Sequence, residues 1–234
     1  ILIIFYNTIA FKNLGLAIIF LTALIRVILF PVFQKSVRHQ AEMRKIQPKL
    51  KKVQELHRHD KAKQAEAMMA LYKTHNLNPF SGILLVLIQL PVLIALYQIF
   101  LRNLTPDSLV GLYSFVSPPP DLNDSFLGLI SLRKQGMVGG NILILFLAAL
   151  AQYFQGKLSL PTGKDAEKKE LSQVEKVAKR MVFVGPIFTV VIFSNLPAAV
   201  GLYWLTTSIF SVVQQLIVNR EINGELGKFS KENN

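Results

Sequence analysis

The sequence predicts an all-α polytopic membrane protein, with five transmembrane helices and a cytoplasmic helical hairpin, and three observations carry that expectation. Five apolar runs divide the chain, Lys and Arg concentrate in two of the connections between them, and the longer connection has helical periodicity of its own. Composition agrees. Of 234 residues, 51% are hydrophobic and 17% charged, with a mean hydropathy of +0.39. That is too apolar for a soluble domain of this length and too segmented for one buried core. Cysteine is absent, which excludes a disulfide framework, a thiolate metal site and a cysteine nucleophile, and leaves the redox compartment open.

In chain order, residues 1–13 open with the apolar ILIIFYNTIAF, too short to span. They are expected to lie along the outer interface or to finish a longer helix. Because residue 1 is isoleucine, the native start is expected upstream. Leu14–Phe33 is twenty residues, enough to span, and uncharged except for Arg26. Segment 34–79 follows, in which Met43, Ile46, Leu50 and Val53, then Ala65, Met68 and Tyr72, recur at helical spacing on either side of His57-Arg58-His59-Asp60. Two antiparallel helices of about 15–18 residues would satisfy that pattern, with Pro48 inside the first and able to kink it. The second span is 80–101, the outer loop 102–136, the third span 137–155 and the second cytoplasmic loop 156–180. Ser117-Pro118-Pro119-Pro120-Asp121 in the outer loop should be extended and mobile. The short fourth span, 181–195, and the fifth, 198–218, form a tight hairpin about Leu196-Pro197, leaving a tail at 219–234.

Charge orients these spans. Segment 34–79 has eleven Lys/Arg against four acids, and 156–180 has seven against four, whereas 102–140 is balanced at three each. Lys/Arg excess marks cytoplasmic loops, so the N-terminus is expected outside and the C-terminus inside. The formal charge of +12 thus marks orientation and a basic cytoplasmic surface, and argues against nucleic acid as a direct partner.

Arg26 carries the most information. An arginine at the centre of a membrane helix costs roughly 2.5–3.5 kcal/mol on insertion scales. Either it snorkels toward the end of the run, seven residues away at Phe33, or it has a partner or a task. Thr22 lies one turn before it on the same face. Neutral polar residues recur on other spans: Gln89 beside Pro91, and Gln98, on the second; Asn141, Gln152 and Gln155 on the third; Tyr203, Thr207 and Ser211 at i, i+4 and i+8 on the fifth, with Gln214 and Gln215 near the next turn. Singly, each can be explained by helix–helix hydrogen bonding. Together with an arginine that has no acid in the spans, they favour a hydrated groove that attracts acidic or polar groups of another chain. Enzyme signatures are missing: there is no HExxH, GxxxxGK[ST] or GxSxG, and none of the four histidines (His39, His57, His59, His75) lies in a span. No cofactor or metal is expected, and no catalytic residue.

Longer strings are specific. IRVILFPV (25–32), MRKIQPKLKKVQE (43–55), MMALYKTHNLNPFSG (68–82), LIQLPVLIALYQ (87–98), PIFTVVIF (186–193) and GLYWLTTSIFSVVQQ (201–215) occur in order. From about Leu14 to Gln215 the chain resembles the YidC/Oxa family of membrane protein insertases, in its short bacterial form. The resemblance implies a five-helix bundle in the bacterial inner membrane, with a hydrophilic groove open to cytoplasm and lipid. The family's groove arginine falls on Arg26, its preceding polar residue on Thr22, its IQxP stretch on Gln89, Leu90 and Pro91, and its aromatic pair on Tyr203 and Trp204. It implies an insertase and folding chaperone that moves short polar segments across and releases hydrophobic segments into the lipid bilayer. The partners it implies are nascent membrane proteins, the Sec translocon and the ribosome. Two departures stand out. Pro197-Ala198-Ala199 replaces the usual glycine of the last hairpin turn, and the tail carries three basic against three acidic residues, so a strongly basic ribosome-binding tail is not supported. The alternative reading, a solute or ion transporter, is disfavoured by five spans with no detectable inverted repeat and no membrane acid.

Overall fold

The computed structural model describes residues 1–78, 81–101, 115–119, 122–137, 139–160 and 173–232. It is mostly helical. The short helix α1 (Leu2–Thr8) buries Leu2, Ile3 and Tyr6 and packs on α2 (Leu14–Ile28). Asn13 caps α2: its Oδ1 accepts from the Leu16 N–H at 3.1 Å, and its Nδ2 donates to the Ser125 carbonyl at 3.0 Å. An N-cap of this kind stabilises by about 1 kcal/mol, and the second bond ties the start of α2 to the distant 122–137 segment.

The run expected to form one span, 14–33, is two helices. After Ile28 the chain bends by 67° into α3 (Phe30–Lys45). Pro31 accounts for the break: it has no N–H for the Val27 carbonyl, and its ring crowds that group. The Leu29 N–H instead caps the Ile25 and Val27 carbonyls, and helix restarts with Val32 and Phe33 donating to Leu29 O at 3.1 and 3.0 Å. Arg26 therefore stands in the last turn of α2 rather than at mid-span.

The connection 34–79 also differs from the expected pair of 15–18-residue helices. α3 runs through Met43, then α4 (Gln47–Leu56, 10 residues) and α5 (Lys61–Thr74, 14 residues) follow. Pro48 does not kink a helix interior; it opens α4, where its missing N–H is not needed. Asp60 caps α5, accepting from the Ala62 and Lys63 N–H groups at 3.1 and 3.0 Å. The predicted apolar edges do meet, with Ile46, Leu50 and Leu77 buried against Met43, Met68, Leu71 and Tyr72. Burial there pushes the Tyr72 phenol above its ordinary range.

α6 (Ser81–Leu101) carries Pro91 in its interior. Residues 102–114 and 120–121, and with them part of the proline-rich stretch expected to be extended, lie outside the described residues. The following segment is more ordered than a plain loop: β1 (Ser125–Phe126) pairs antiparallel with β2 (Ile130–Ser131), reversing through Leu127 and Gly128 at φ 55° and 70°. α7 (Asn141–Leu158) starts later than position 137 because Gly136 and Gly139 sit at φ 92° and 56°, conformations no α-helix contains. Of the connection expected at 156–180, residues 161–172 lie outside those described, while α7 extends into its start and α8 begins before its end. α8 (Gln173–Phe193) and α9 (Ala198–Glu232) form the expected tight turn. That turn is pinned from outside, since the Ala198 and Ala199 N–H groups donate to Lys134 O and Leu132 O at 3.1 and 3.0 Å. α9 does not stop at Val218. No proline interrupts 219–232, and the helix continues to 35 residues, about 52 Å at 1.5 Å per residue.

α9 is the hub, packing most extensively on α7, then on α2, with α3, α6 and α8 at its other edges; α6 also lies along α3. The main apolar core gathers the first half of α2 (Leu14, Ala17, Ile18), the last turns of α6 (Leu96, Phe100), the start of α7 (Ile144, Leu145), Phe193, and residues 198–203 of α9. These are alternately starts and ends of successive helices, so the core closes one end of an up-and-down bundle. Ile130 and Leu132 of the 122–137 segment seal that end. Large apolar side chains elsewhere face outward, among them Phe20, Phe146, Phe183, Ile187 and Ile209, as helices in hydrocarbon require. Among the described residues two helices are long and apolar enough to cross a membrane, Asn141–Leu158 and Ala198–Ile222, and three if the bent pair Leu14–Ile28 with Phe30–Met43 counts as one. Leu87–Phe100 is a shorter apolar helix.

Candidate functional site

Below the apolar core the buried residues turn polar. On α2, Thr22 and Arg26 follow one turn apart and are 1% and 5% exposed. The Thr22 hydroxyl donates to its own helix, to Ile18 O at 2.6 Å, which leaves its oxygen as an acceptor on the face it shares with Arg26. Arg26 reaches across. Its Nη2 donates to Ser211 Oγ of α9 at 3.2 Å, and its guanidinium carbon lies 4.2 Å over the Phe33 ring of α3. Ser211 in turn donates to Thr207 O at 3.0 Å. Arg26 Nη1 is buried with no hydrogen-bond partner among the described residues, and no carboxylate among them pairs with the guanidinium. A cation held by a hydroxyl and a ring, with one face of its fork spare, is arranged to accept an anionic or carbonyl group.

The elbow makes this geometry possible. On a straight helix Phe33 would stand about 10 Å along the axis from Arg26. The bend after Ile28 folds α3 back so that the ring meets the guanidinium.

α6 contributes the next part. Gln89 Nε2 donates to the hydroxyl of Tyr203, which is buried in α9. Pro91 follows two residues later, and Leu90 between them is 43% exposed. Trp204 stacks on Phe193 at 5.0 Å between ring centroids, and its Nε1 is buried without a partner among the described residues. Thr207 is buried one turn beyond Tyr203. Arg26, Gln89, Tyr203, Thr207 and Ser211 thus occupy one α2–α6–α9 region.

Gln152 and Gln155 do not take part in those contacts. The Thr189 hydroxyl of α8 donates to Gln152 Oε1, and both glutamines line a cleft of about 350 Å³ between α7 and α8, with Ser159, Val182 and Gly185. A stripe on α9 links the two regions. Continuing the i+4 count from Tyr203, Thr207 and Ser211 reaches Gln215, which accepts from Ser159 Oγ at 3.0 Å, and Asn219, whose Nδ2 donates to Leu158 O at 2.9 Å. At 100° per residue the stripe rotates about 40° per step, from the α2 side toward the end of α7. Sequence reasoning missed Phe33, Thr189 and Asn219. For Asn219 the signal was present, as one more step of the same count past the expected end of the span.

No group of three or more His, Cys, Asp or Glu among the described residues is placed to hold a metal ion. The arrangement offers hydrogen bonds and one buried positive charge, which suits binding rather than covalent chemistry.

Comparison with known proteins places the chain. Residues 4–225 match the family model described as 60Kd inner membrane protein. A protein named membrane protein insertase YidC from Magnetococcus marinus is 34% identical over 223 residues, covering 94% of this chain and 34% of the relative. Proteins of the same name from Geobacter sulfurreducens and Francisella tularensis subsp. novicida are 30% and 35% identical, over 90% and 89% of this chain. The chain spans about a third of the length of these curated relatives. By the extent of that match, the chain belongs to the 60Kd inner membrane protein family.

Proposed function

We propose that this chain is the insertase core of a bacterial inner-membrane protein, and that its substrates are nascent membrane proteins. The observation that carries the reading is Arg26: a buried cation without a carboxylate partner among the described residues, fixed by Ser211 and Phe33 and leaving Nη1 spare. In this reading α2 with α3, α6, α7, the apolar part of α8 and α9 are the five spans, with the N-terminus outside and the C-terminus in the cytoplasm. The apolar core at the α1 end closes a groove toward the outside, and the groove lies below it, around Arg26, Gln89, Leu90, Pro91, Tyr203, Trp204, Thr207 and Ser211. Gln152 and Gln155 extend it toward α8. The basic 34–79 hairpin faces the cytoplasm, where it meets anionic headgroups, the ribosome or the Sec translocon.

No nucleotide or covalent step is needed. Apolar residues release about 0.3–0.6 kcal/mol each on insertion scales, so twenty release roughly 6–12 kcal/mol, while one central Asp costs about 2.5–3.5. The substrate's own hydrophobic segment can therefore drive a short polar tail across, provided the barrier is lowered. A buried guanidinium and a few polar groups lower it. The test is reconstitution of the full-length protein in liposomes without a solute gradient, with a single-span substrate carrying a short acidic tail. Integration with the tail protected from external protease is expected; failure to integrate, with solute flux instead, would overturn the reading in favour of a transporter.

A further inference from the structure

Two adjacent glutamines of α9 have opposite fates. Gln215 is bonded at both ends of its amide, accepting from Ser159 Oγ at 3.0 Å and donating to Asn219 Oδ1 at 2.9 Å. Gln214 is as deeply buried, both being 2% exposed, yet neither its Oε1 nor its Nε2 has a partner among the described residues. A buried, unpaired amide is costly in protein and more so in hydrocarbon, and native folds keep few of them.

Its location follows from its neighbours on the helix. Gln214 lies three residues after Ser211, the residue bonded to Arg26, and four before Val218, which packs against Val37 and Ala41 of α3. Residues three and four apart are neighbours on one helix face. Phe33, under the Arg26 guanidinium, stands one turn before Val37 on α3. Gln214 therefore lies on the face of α9 between Ser211, which bonds Arg26, and Val218, which packs on α3. Gln34, next to Phe33, also has a buried Oε1 without a partner among the described residues.

We propose that Gln214 binds the peptide backbone of the polar segment in transit, its carboxamide pairing with a substrate N–H and C=O; this rests on reading the elbow as the substrate site. The chemistry fits the need. An extended segment within the bilayer has unpaired backbone groups at every residue, whatever its side chains, and lacks water to satisfy them. A carboxamide presents one donor and one acceptor side by side in a plane, matching the N–H and C=O that a single residue of an extended segment turns to the same side. Arg26 reads charge, and Gln214 serves any sequence.

The test compares full-length wild type with Gln214→Met, close to isosteric but unable to hydrogen-bond as an amide, on single-span substrates with neutral or acidic tails. Q214M should slow insertion of both by roughly three- to tenfold, the worth of one or two hydrogen bonds, while its melting temperature stays level or rises. Gln215→Met, which breaks bonds made within the protein, should melt lower. Gln214→Glu puts a carboxylate one turn from Ser211, the residue that holds Arg26, and should slow acidic tails more than neutral ones. A lower melting temperature or a failure to fold for Q214M would show that the amide has a structural partner and overturn the proposal. So would unchanged insertion of neutral tails, or a Q214E that slows both tails alike. Arg26→Met measured in parallel separates the two readings: Q214M silent while R26M impairs acidic tails removes Gln214 alone. Absence of insertion by wild type removes the substrate site and the proposal with it.

Discussion

Replacing Arg26 by methionine removes the charge while keeping an unbranched stem against Phe33. The size of the effect can be worked from the site. A substrate carboxylate that took the spare Nη1 would place two unit charges about 4 Å apart; at an effective dielectric constant of 20 this is worth about 4 kcal/mol, and at 40, for a wetter groove, about 2. Arg26 is 5% exposed, so the lower figure is a fair floor. Two kcal/mol on the barrier is a factor of about 30 in rate. R26M should thus slow substrates with one acidic tail residue by about 30-fold or more, and neutral tails far less. Raising salt from 0.1 to 0.5 M should close little of that gap, because buried pairs are weakly screened. Stability should not fall, since a buried cation without a carboxylate partner gives up little when replaced by an apolar residue. Protease protection in proteoliposomes, across tails of zero, one and two acids, reads the rate. An equal loss for all tails, or no loss, would refute the electrostatic role.

Three other outcomes follow from the same geometry. Gly15→Ala would put a methyl group 2.9 Å from Phe126 Cβ and against the ring itself; overpacking of this kind costs about 1–3 kcal/mol, so the melting temperature should drop, and an unchanged value would mean the β1–β2 segment sits elsewhere. Pro31→Ala restores the N–H that α2 lacks at the elbow and should straighten it, lengthening a spin-label distance between Arg26 and Phe33 positions; an unaltered distance would assign the bend to packing instead. A photocrosslinker at exposed Leu90 should capture a nascent apolar segment more readily than one at Thr22, which is buried; the reverse pattern would contradict the placement of the site.

How much of this was legible in the residues depends on the range of the interaction. Periodicity gave the apolar edges of the hairpin, Met43 through Tyr72, because a 3–4 spacing is a local property. It also put Thr22 with Arg26 and Tyr203 with Thr207 and Ser211. Proline was visible, but its consequence depended on position. Pro31 ends a helix, Pro48 begins one, and Pro91 is carried inside α6. Only the backbone bonds around each distinguish those cases. Contacts between helices were harder. The sequence offered Gln89, Gln152, Tyr203 and Ser211 as equivalent polar residues; packing divided them, giving Gln89 to Tyr203 and Gln152 to Thr189. Arg26 with Phe33 was hidden for a different reason, since their proximity arises from a bend that hydropathy does not record.

That bend also decides what the hairpin is mechanically. α4 and α5 are not suspended from a flexible tether; they ride on the far end of α3, a lever that leaves Leu29, presses Phe33 on the Arg26 guanidinium in its first turn and rests on α9 through Val37 and Ala41. α3 has 16 residues, about 24 Å at 1.5 Å per residue. A pivot of about 10° at its Leu29 end, sliding Val37 and Ala41 over α9, would sweep its tip by roughly 4 Å and shift the ring beneath the cation by a fraction of that distance. Whatever pushes on the hairpin is thus geared down to a small displacement at the one charge that is buried among the described residues.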